Sequence, residues 1–218
     1  MMSNFRIKTY VLGQVSTNCY LVCNEQTREA VVIDPADNSN YLIAECRKLE
    51  VTPKAILLTH GHFDHILAAK ALAVEFSCRI YAGKDEAQLL KDPAGNLTGS
   101  WGRQPLVLAA DVLARDQEVL ELIGFQWKVL FTPGHTAGSV CYYIGSEAVL
   151  FSGDTLFAES MGRTDLPTGS ETAIISSIME RLLVLPDDTM VYPGHGNPTV
   201  ISHEKKYNPV AVYYRNRQ

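Results

Sequence analysis

Four apolar runs in this chain stop in the same way, at a glycine followed by histidine or aspartate. K-A-I-L-L-T runs into H-G-H-F-D-H, residues 60–65. F-Q-W-K-V-L-F is followed by T-P-G-H, ending at His135. A-V-L-F-S-G stops at Asp154, and T-M-V-Y-P-G stops at His195. Glycine permits the tight turns and close backbone approaches such ends require. Imidazoles and carboxylates are costly to gather beside a core unless a cation offsets them. A fold that brings four such ends together therefore points to bound metal, for which imidazole and carboxylate are common ligands.

The first of these ends is the densest, with three of the chain's six histidines inside residues 60–65. In a fully extended strand His60 and His62 would share a face and His65 would point away. In a helix His62 and His65 would share a face. A turn at Gly61 followed by a helix lies between these cases. It sends ligands in two directions, which suits two metals close together. His203, in V-I-S-H-E-K-K, stands outside the pattern and reads as a surface residue.

The rest of the chain supplies a scaffold for these ends. F-R-I-K-T-Y-V-L, N-C-Y-L-V-C, E-A-V-V-I-D-P and R-I-Y-A-G read as strands bounded by turn formers. F-Q-W-K-V-L-F alternates, placing Phe125, Trp127, Val129 and Phe131 on one face. S-V-C-Y-Y-I is a further strand. Residues 39–49, capped by Ser39, I-L-A-A-K-A-L-A-V-E-F and E-T-A-I-I-S-S-I-M-E-R-L-L read as helices. Lys84 to Asp111, with K-D-P-A-G-N-L-T-G-S-W-G-R-Q-P inside it, reads as a long loop with a functional use. Both halves go from paired strands to strands alternating with helices. The expected fold is α/β, two mixed β-sheets packed face to face with helices outside. It would be a single domain over residues 1–218, with two pseudo-repeated halves of roughly 1–110 and 111–218.

Composition narrows the class of partner. A net charge of −5 argues against nucleic acid, which needs clustered Lys and Arg. No run approaches the roughly 20 apolar residues of a membrane helix, and the N-terminus, M-M-S-N-F-R-I-K-T-Y, shows no signal-peptide pattern. The five cysteines form no C-x-x-C pair, and Cys19 and Cys141 sit in strand-like stretches as small hydrophobes. A reducing, cytoplasmic setting is expected.

Together, the H-G-H-F-D-H stretch with His135, Asp154 and His195 resembles the metallo-β-lactamase superfamily, and the likeness runs from N-C-Y-L-V and V-V-I-D-P to Y-P-G-H-G. The resemblance implies an αββα sandwich with a metal cleft at one edge of the two sheets. Matched residue by residue, His60, His62 and His135 would hold one metal and Asp64, His65 and His195 a second, with Asp154 bridging them. Asp34, in V-I-D-P, would support the metal loop from behind. Two divalent cations are implied, zinc as the first choice, with iron and manganese also suited to these ligands.

Asp154 at the bridging position resembles the glyoxalase II-like thioesterases rather than the true β-lactamases. His62 argues against the flavodiiron branch. The implied reaction is hydrolysis of S-acyl-glutathione-type thioesters such as S-D-lactoylglutathione. A metal-bridging hydroxide would attack the carbonyl, with Asp64 as a ligand that also orients the nucleophile. A thiolate leaves without a strong acid, and Ser139 lies in no G-x-S-x-G elbow. Only residues 196–218 follow His195, too few for the C-terminal helical domain that supplies glutathione contacts in glyoxalase II. Candidate substrate contacts are therefore Arg163, in M-G-R-T-D-L-P, and Asn96 in the long loop, with Lys205 and Lys206 as weaker ones. The G-R-T-D stretch also resembles mononuclear-iron persulfide dioxygenases of the same fold. A lactonase or another ester hydrolase is a third reading.

Overall fold

The computed structural model describes residues 4–101 and 104–215. The first three residues of the N-terminal stretch and Gly102 and Arg103 of the long loop lie outside them. In chain order the first sheet's elements are β1 (Phe5–Leu12), β2 (Thr17–Asn24), β3 (Glu29–Ile33), α1 (Ser39–Lys48), β4 (Thr52–Leu57), α2 (Phe63–Ile66), α3 (Ala69–Phe76), β5 (Arg79–Gly83), α4 (Ala87–Lys91) and β6 (Val112–Ala114). The rest are β7 (Val119–Leu122), β8 (Phe125–Phe131), β9 (Val140–Ile144), β10 (Val149–Gly153), β11 (Leu156–Phe157), β12 (Ser160–Met161), α5 (Glu171–Ser177), β13 (Met190–Pro193), β14 (Thr199–Val200), α6 (Ile201–Tyr207) and α7 (Pro209–Arg215).

Strands β1 to β6 form one six-stranded sheet in sequence order, antiparallel through β3 and parallel from β3 to β6. The second sheet runs β14-β13-β10-β9-β8-β7, antiparallel except for the β10–β13 pair. Both sheets are mixed and both have apolar residues on two faces. In β2, Tyr20 and Val22 point between the sheets, where Trp127, Val129, Tyr142 and Phe151 of the second sheet meet them. The alternate residues Cys19, Leu21 and Cys23 point outward, against Leu42 and Cys46 of α1 and Leu72 of α3. On the other flank, Leu130, Cys141, Leu150 and Val191 back onto Ile174 of α5, Ile201 of α6 and Val210 of α7. This is the αββα sandwich expected from the strand pattern, since a strand buried on both faces needs a partner layer on each.

Three local readings are corrected. The helix expected over 66–76 is interrupted, because the Ala68 amide donates to the Pro35 carbonyl at 3.0 Å instead of continuing the α2 turn. Asn38, not Ser39, caps α1, its side chain accepting from the Tyr41 amide. The stretch from Lys84 is not loop throughout: a 3-10 turn at 84–86 leads into α4, which buries Leu89 and Leu90. The helix beginning at Glu171 also widens to a π-helical turn over Ile178–Leu182.

All five cysteines are free, four of them buried. Among the described residues no helix is long and apolar enough to cross a membrane.

Candidate metal centre

Parallel pairing decides which chain ends meet. Strands β3 and β4 are parallel neighbours, so Asp34 and the loop at Thr59 leave the first sheet side by side. Strands β10 and β13 are parallel neighbours in the second sheet, so Asp154 and the loop bearing His195 also emerge together. The loop after β8 brings His135 to the same edge. The result is one cluster of the seven residues that the sequence singled out, buried except for the partly exposed His195. His60, His62 and His135 offer ligand atoms within 4.8 Å of one another, as do Asp64, His65 and His195, and as do His60, His65 and Asp154.

Close approach needs small residues here. A Cβ on Gly194 would overlap Asp154 Oδ1 and the His65 ring, so glycine before His195 is a requirement of the cluster. Asn18 holds that turn from the first sheet, its amide donating to the carbonyls of Pro193 at 3.0 Å and Gly196 at 2.9 Å.

Hydrogen bonds behind the cluster orient the rings. The Asp34 carboxylate accepts from the Thr59 amide (2.8 Å), the Thr59 hydroxyl (2.7 Å) and His65 Nδ1 (2.9 Å). Because the Thr59 hydroxyl donates to Asp34, its oxygen is left to accept from His60 Nδ1 at 3.1 Å. His135 Nδ1 donates to the Arg163 carbonyl at 2.8 Å. These bonds assign the Nδ1–H tautomer to His60 and His135 and turn their Nε2 lone pairs inward. His62 is reversed: its Nδ1 lies 2.9 Å from His135 Nε2. Thr17 donates to Asp64 Oδ2 at 2.7 Å.

The inward atoms have charge partners but few hydrogen bonds. His60 Nε2, His65 Nε2 and Asp154 Oδ1 are buried without a hydrogen-bond partner among the described residues. Buried polar atoms are rarely left so, and three in one place mark a site shaped for a cation. His65 Nε2 lies 3.3 Å from Asp64 Oδ2 and 3.5 Å from Asp154 Oδ1. Asp154 Oδ2 lies 3.6 Å from His135 Nε2 and 3.5 Å from His195 Nε2, so one carboxylate oxygen faces both groups.

Protonation tendencies agree with this. Burial, reinforced by the neighbouring imidazoles, holds His60 well below its ordinary pKa and pushes His62 down to about 3. Both therefore stay neutral, with lone pairs available. Burial would raise Asp64 and Asp154, but His65, His195 and, at Asp64, Thr17 outweigh it and keep both carboxyls ionised. Burial would lower His195, but Asp154 and Asp64 raise it to about 9, and His65 is likewise raised by its carboxylate neighbours. Those carboxylates favour positive charge at this spot, and a bound cation would displace the imidazole protons. The cluster is thus compatible with a binuclear metal site.

A cavity of about 510 Å³ opens onto the cluster, with His62, Asp64, His135, Asp154 and His195 in its floor and Val15, Phe63, Leu97, Trp101, Phe157, Met161 and Leu166 among its walls. Arg163 also borders it, but its guanidinium is engaged by both oxygens of Asp165 at 2.7 Å. The expectation for Asn96 is corrected. It is fully buried, its amide donates to the carbonyls of Leu90 and Leu106, and its oxygen accepts from Thr98. Asn96 braces the long loop, and the neighbouring Leu97 faces the cavity instead. Lys205 is tied to Leu185 and Asp187, and Lys206 lies over the Tyr207 ring. His203 pairs with Glu159 away from the cluster. Reasoning from sequence missed Thr17, Thr59 and the buried Glu86. Only Thr59, directly before His60, carried a positional hint.

Comparison with known proteins agrees with this geometry. The profile of the metallo-beta-lactamase superfamily matches residues 12–195. The hydroxyacylglutathione hydrolase GloC of Haemophilus influenzae is 35% identical over 194 residues, covering 88% of this chain and 91% of its own. Among solved structures, the BLEG-1 B3 metallo-beta-lactamase matches with a TM-score of 0.89 and 42% identity, over 94% of this chain and 99% of its own. TTHA1623 in a di-iron-bound form matches with a TM-score of 0.82 and 35% identity, over 93% and 98%.

Proposed function

The chain belongs to the metallo-β-lactamase superfamily as a metallo-hydrolase, and from that premise we propose that it is a binuclear thioesterase acting on S-acyl-glutathione-type thioesters such as S-D-lactoylglutathione. The observation that carries the reading is Asp154, whose Oδ2 faces His135 on one side and His195 on the other. A carboxylate so placed is suited to bridge two cations. The similarity to GloC, a hydroxyacylglutathione hydrolase, supports the substrate class.

In this reading His60, His62 and His135 would hold one cation and Asp64, His65 and His195 the other, with Asp154 placed to serve both. Zinc fits the ligand set; iron, named for the TTHA1623 structure, and manganese fit it as well. Such ions, when bound, lower the pKa of a bound water to near neutrality and polarise a carbonyl. The chain's own residues do the rest. Asp34 and Thr59 fix the ring planes, and Thr17 fixes the Asp64 carboxylate. Phe157, Met161 and Leu166 give the substrate an apolar wall, and the Arg163–Asp165 pair stands at its border. No strong acid is needed at the leaving group, because the modest pKa of a thiol makes the thiolate a good leaving group.

Purified protein should be assayed against S-D-lactoylglutathione, glutathione persulfide and a β-lactam, alongside elemental analysis. The β-lactam belongs in the panel because of the 42% identity to BLEG-1. The expected result is thioester cleavage with two metals per chain. One iron per chain with oxygen uptake on the persulfide would replace this reading with the dioxygenase, and turnover of the β-lactam alone would replace it with a lactamase.

A further inference from the structure

Glu86 follows β5 by three residues and is 1% exposed. A buried carboxylate is costly unless it is well hydrogen-bonded, and this one draws its donors from the two sheets' ligand loops. Oε1 accepts from the Gly61 amide at 2.7 Å, between His60 and His62. The Thr136 hydroxyl, next to His135, lies 3.0 Å from each carboxylate oxygen. The Gly138 amide is a further donor, and a Cβ on Gly138 would overlap Glu86's amide nitrogen and Oε2. Ser139 completes the arrangement: its oxygen accepts from the Thr136 amide at 3.1 Å, and it lies 2.7 Å from the Thr136 hydroxyl. That leaves the Thr136 proton for Glu86.

The two loops also meet at their base, where the Val140 amide donates to the Thr59 carbonyl at 2.8 Å. Beyond that point, His62 from one loop and His135 from the other come within 2.9 Å. Their relative position must be fixed to a fraction of an ångström to share one cation. Glu86 touches both loops at that level.

We propose that Glu86 is a positioning residue for the metal held by His60, His62 and His135, clamping the ligand loop of one sheet to that of the other. The proposal rests on the metal reading above, and the two are separated by testing wild type first. Zn²⁺ affinity is measured by competition with a chromophoric chelator for wild type, Glu86→Ala and Glu86→Gln, with kcat and KM for thioester cleavage alongside. Wild type should bind two equivalents tightly. Glu86→Ala should weaken one equivalent by about 10–100-fold, the range for residues that support ligands, and lower kcat with little change in KM. Glu86→Gln keeps an acceptor for Gly61 but trades the other oxygen for a donor, and should fall between the two. If Glu86→Ala does not fold, Glu86→Gln decides alone. Unchanged affinity for both equivalents, even with a lower Tm, would overturn the proposal. A wild type that binds no zinc would overturn the metal reading itself.

Discussion

Replacing Asp154 with Asn should lower kcat/KM for thioester hydrolysis at least about a thousand-fold, or roughly 4 kcal/mol of transition-state stabilisation. The Asp154 carboxylate faces both ligand groups, with Oδ2 3.6 Å from His135 Nε2 and 3.5 Å from His195 Nε2, and Oδ1 3.5 Å from His65 Nε2. The amide keeps the shape but removes the negative charge and turns one acceptor into a donor aimed at imidazoles. Metal content should fall together with kcat, while KM stays near its original value because the apolar wall is untouched. Activity within tenfold of wild type, with both metals retained, would remove Asp154 from the bridging role.

Trp127→Ala should have the largest effect on stability, about 3–5 kcal/mol. Its ring is fully buried between the sheets, stacked 6.0 Å from Phe151, with Nε1 donating to the Leu122 carbonyl at 3.1 Å. Truncation leaves a cavity and an unmet carbonyl together. For a chain of this length a loss of that size lowers Tm by about 6–20 °C. A change below 1 kcal/mol would mean that the inter-sheet core repacks around the lost ring and that Trp127 does not anchor it.

The position of Trp127 was legible because β8 alternates, and alternation survives any tertiary context in which one face packs on a second sheet. The metal ligands were legible for a different reason. They cluster where four buried strands run out at a glycine, with His62, His135, Asp154 and His195 each directly after one, and parallel pairing then brings those ends to one edge. What surrounds them was less readable. Asn96 and Glu86 are polar residues in a Gly/Pro-rich or charged stretch, where sequence cannot separate a solvated side chain from a buried one. Asn96 proved to be fastened to its own loop, whereas Glu86 lies against two loops distant in sequence. Only the folded arrangement, with β5 ending beside Gly138, puts Glu86 there. The break at Ala68 was hidden likewise, since the Pro35 carbonyl that takes its amide proton is remote in sequence.

The most direct measurement is a metal titration of stripped protein. After removal of bound metal with a chelator, hydrolysis of S-D-lactoylglutathione should fall to background. Added Zn²⁺ should restore it with a break at two equivalents per chain, in step with a rise in Tm as ligand binding stabilises the fold. Full thioesterase activity in the stripped protein would contradict the account at its centre.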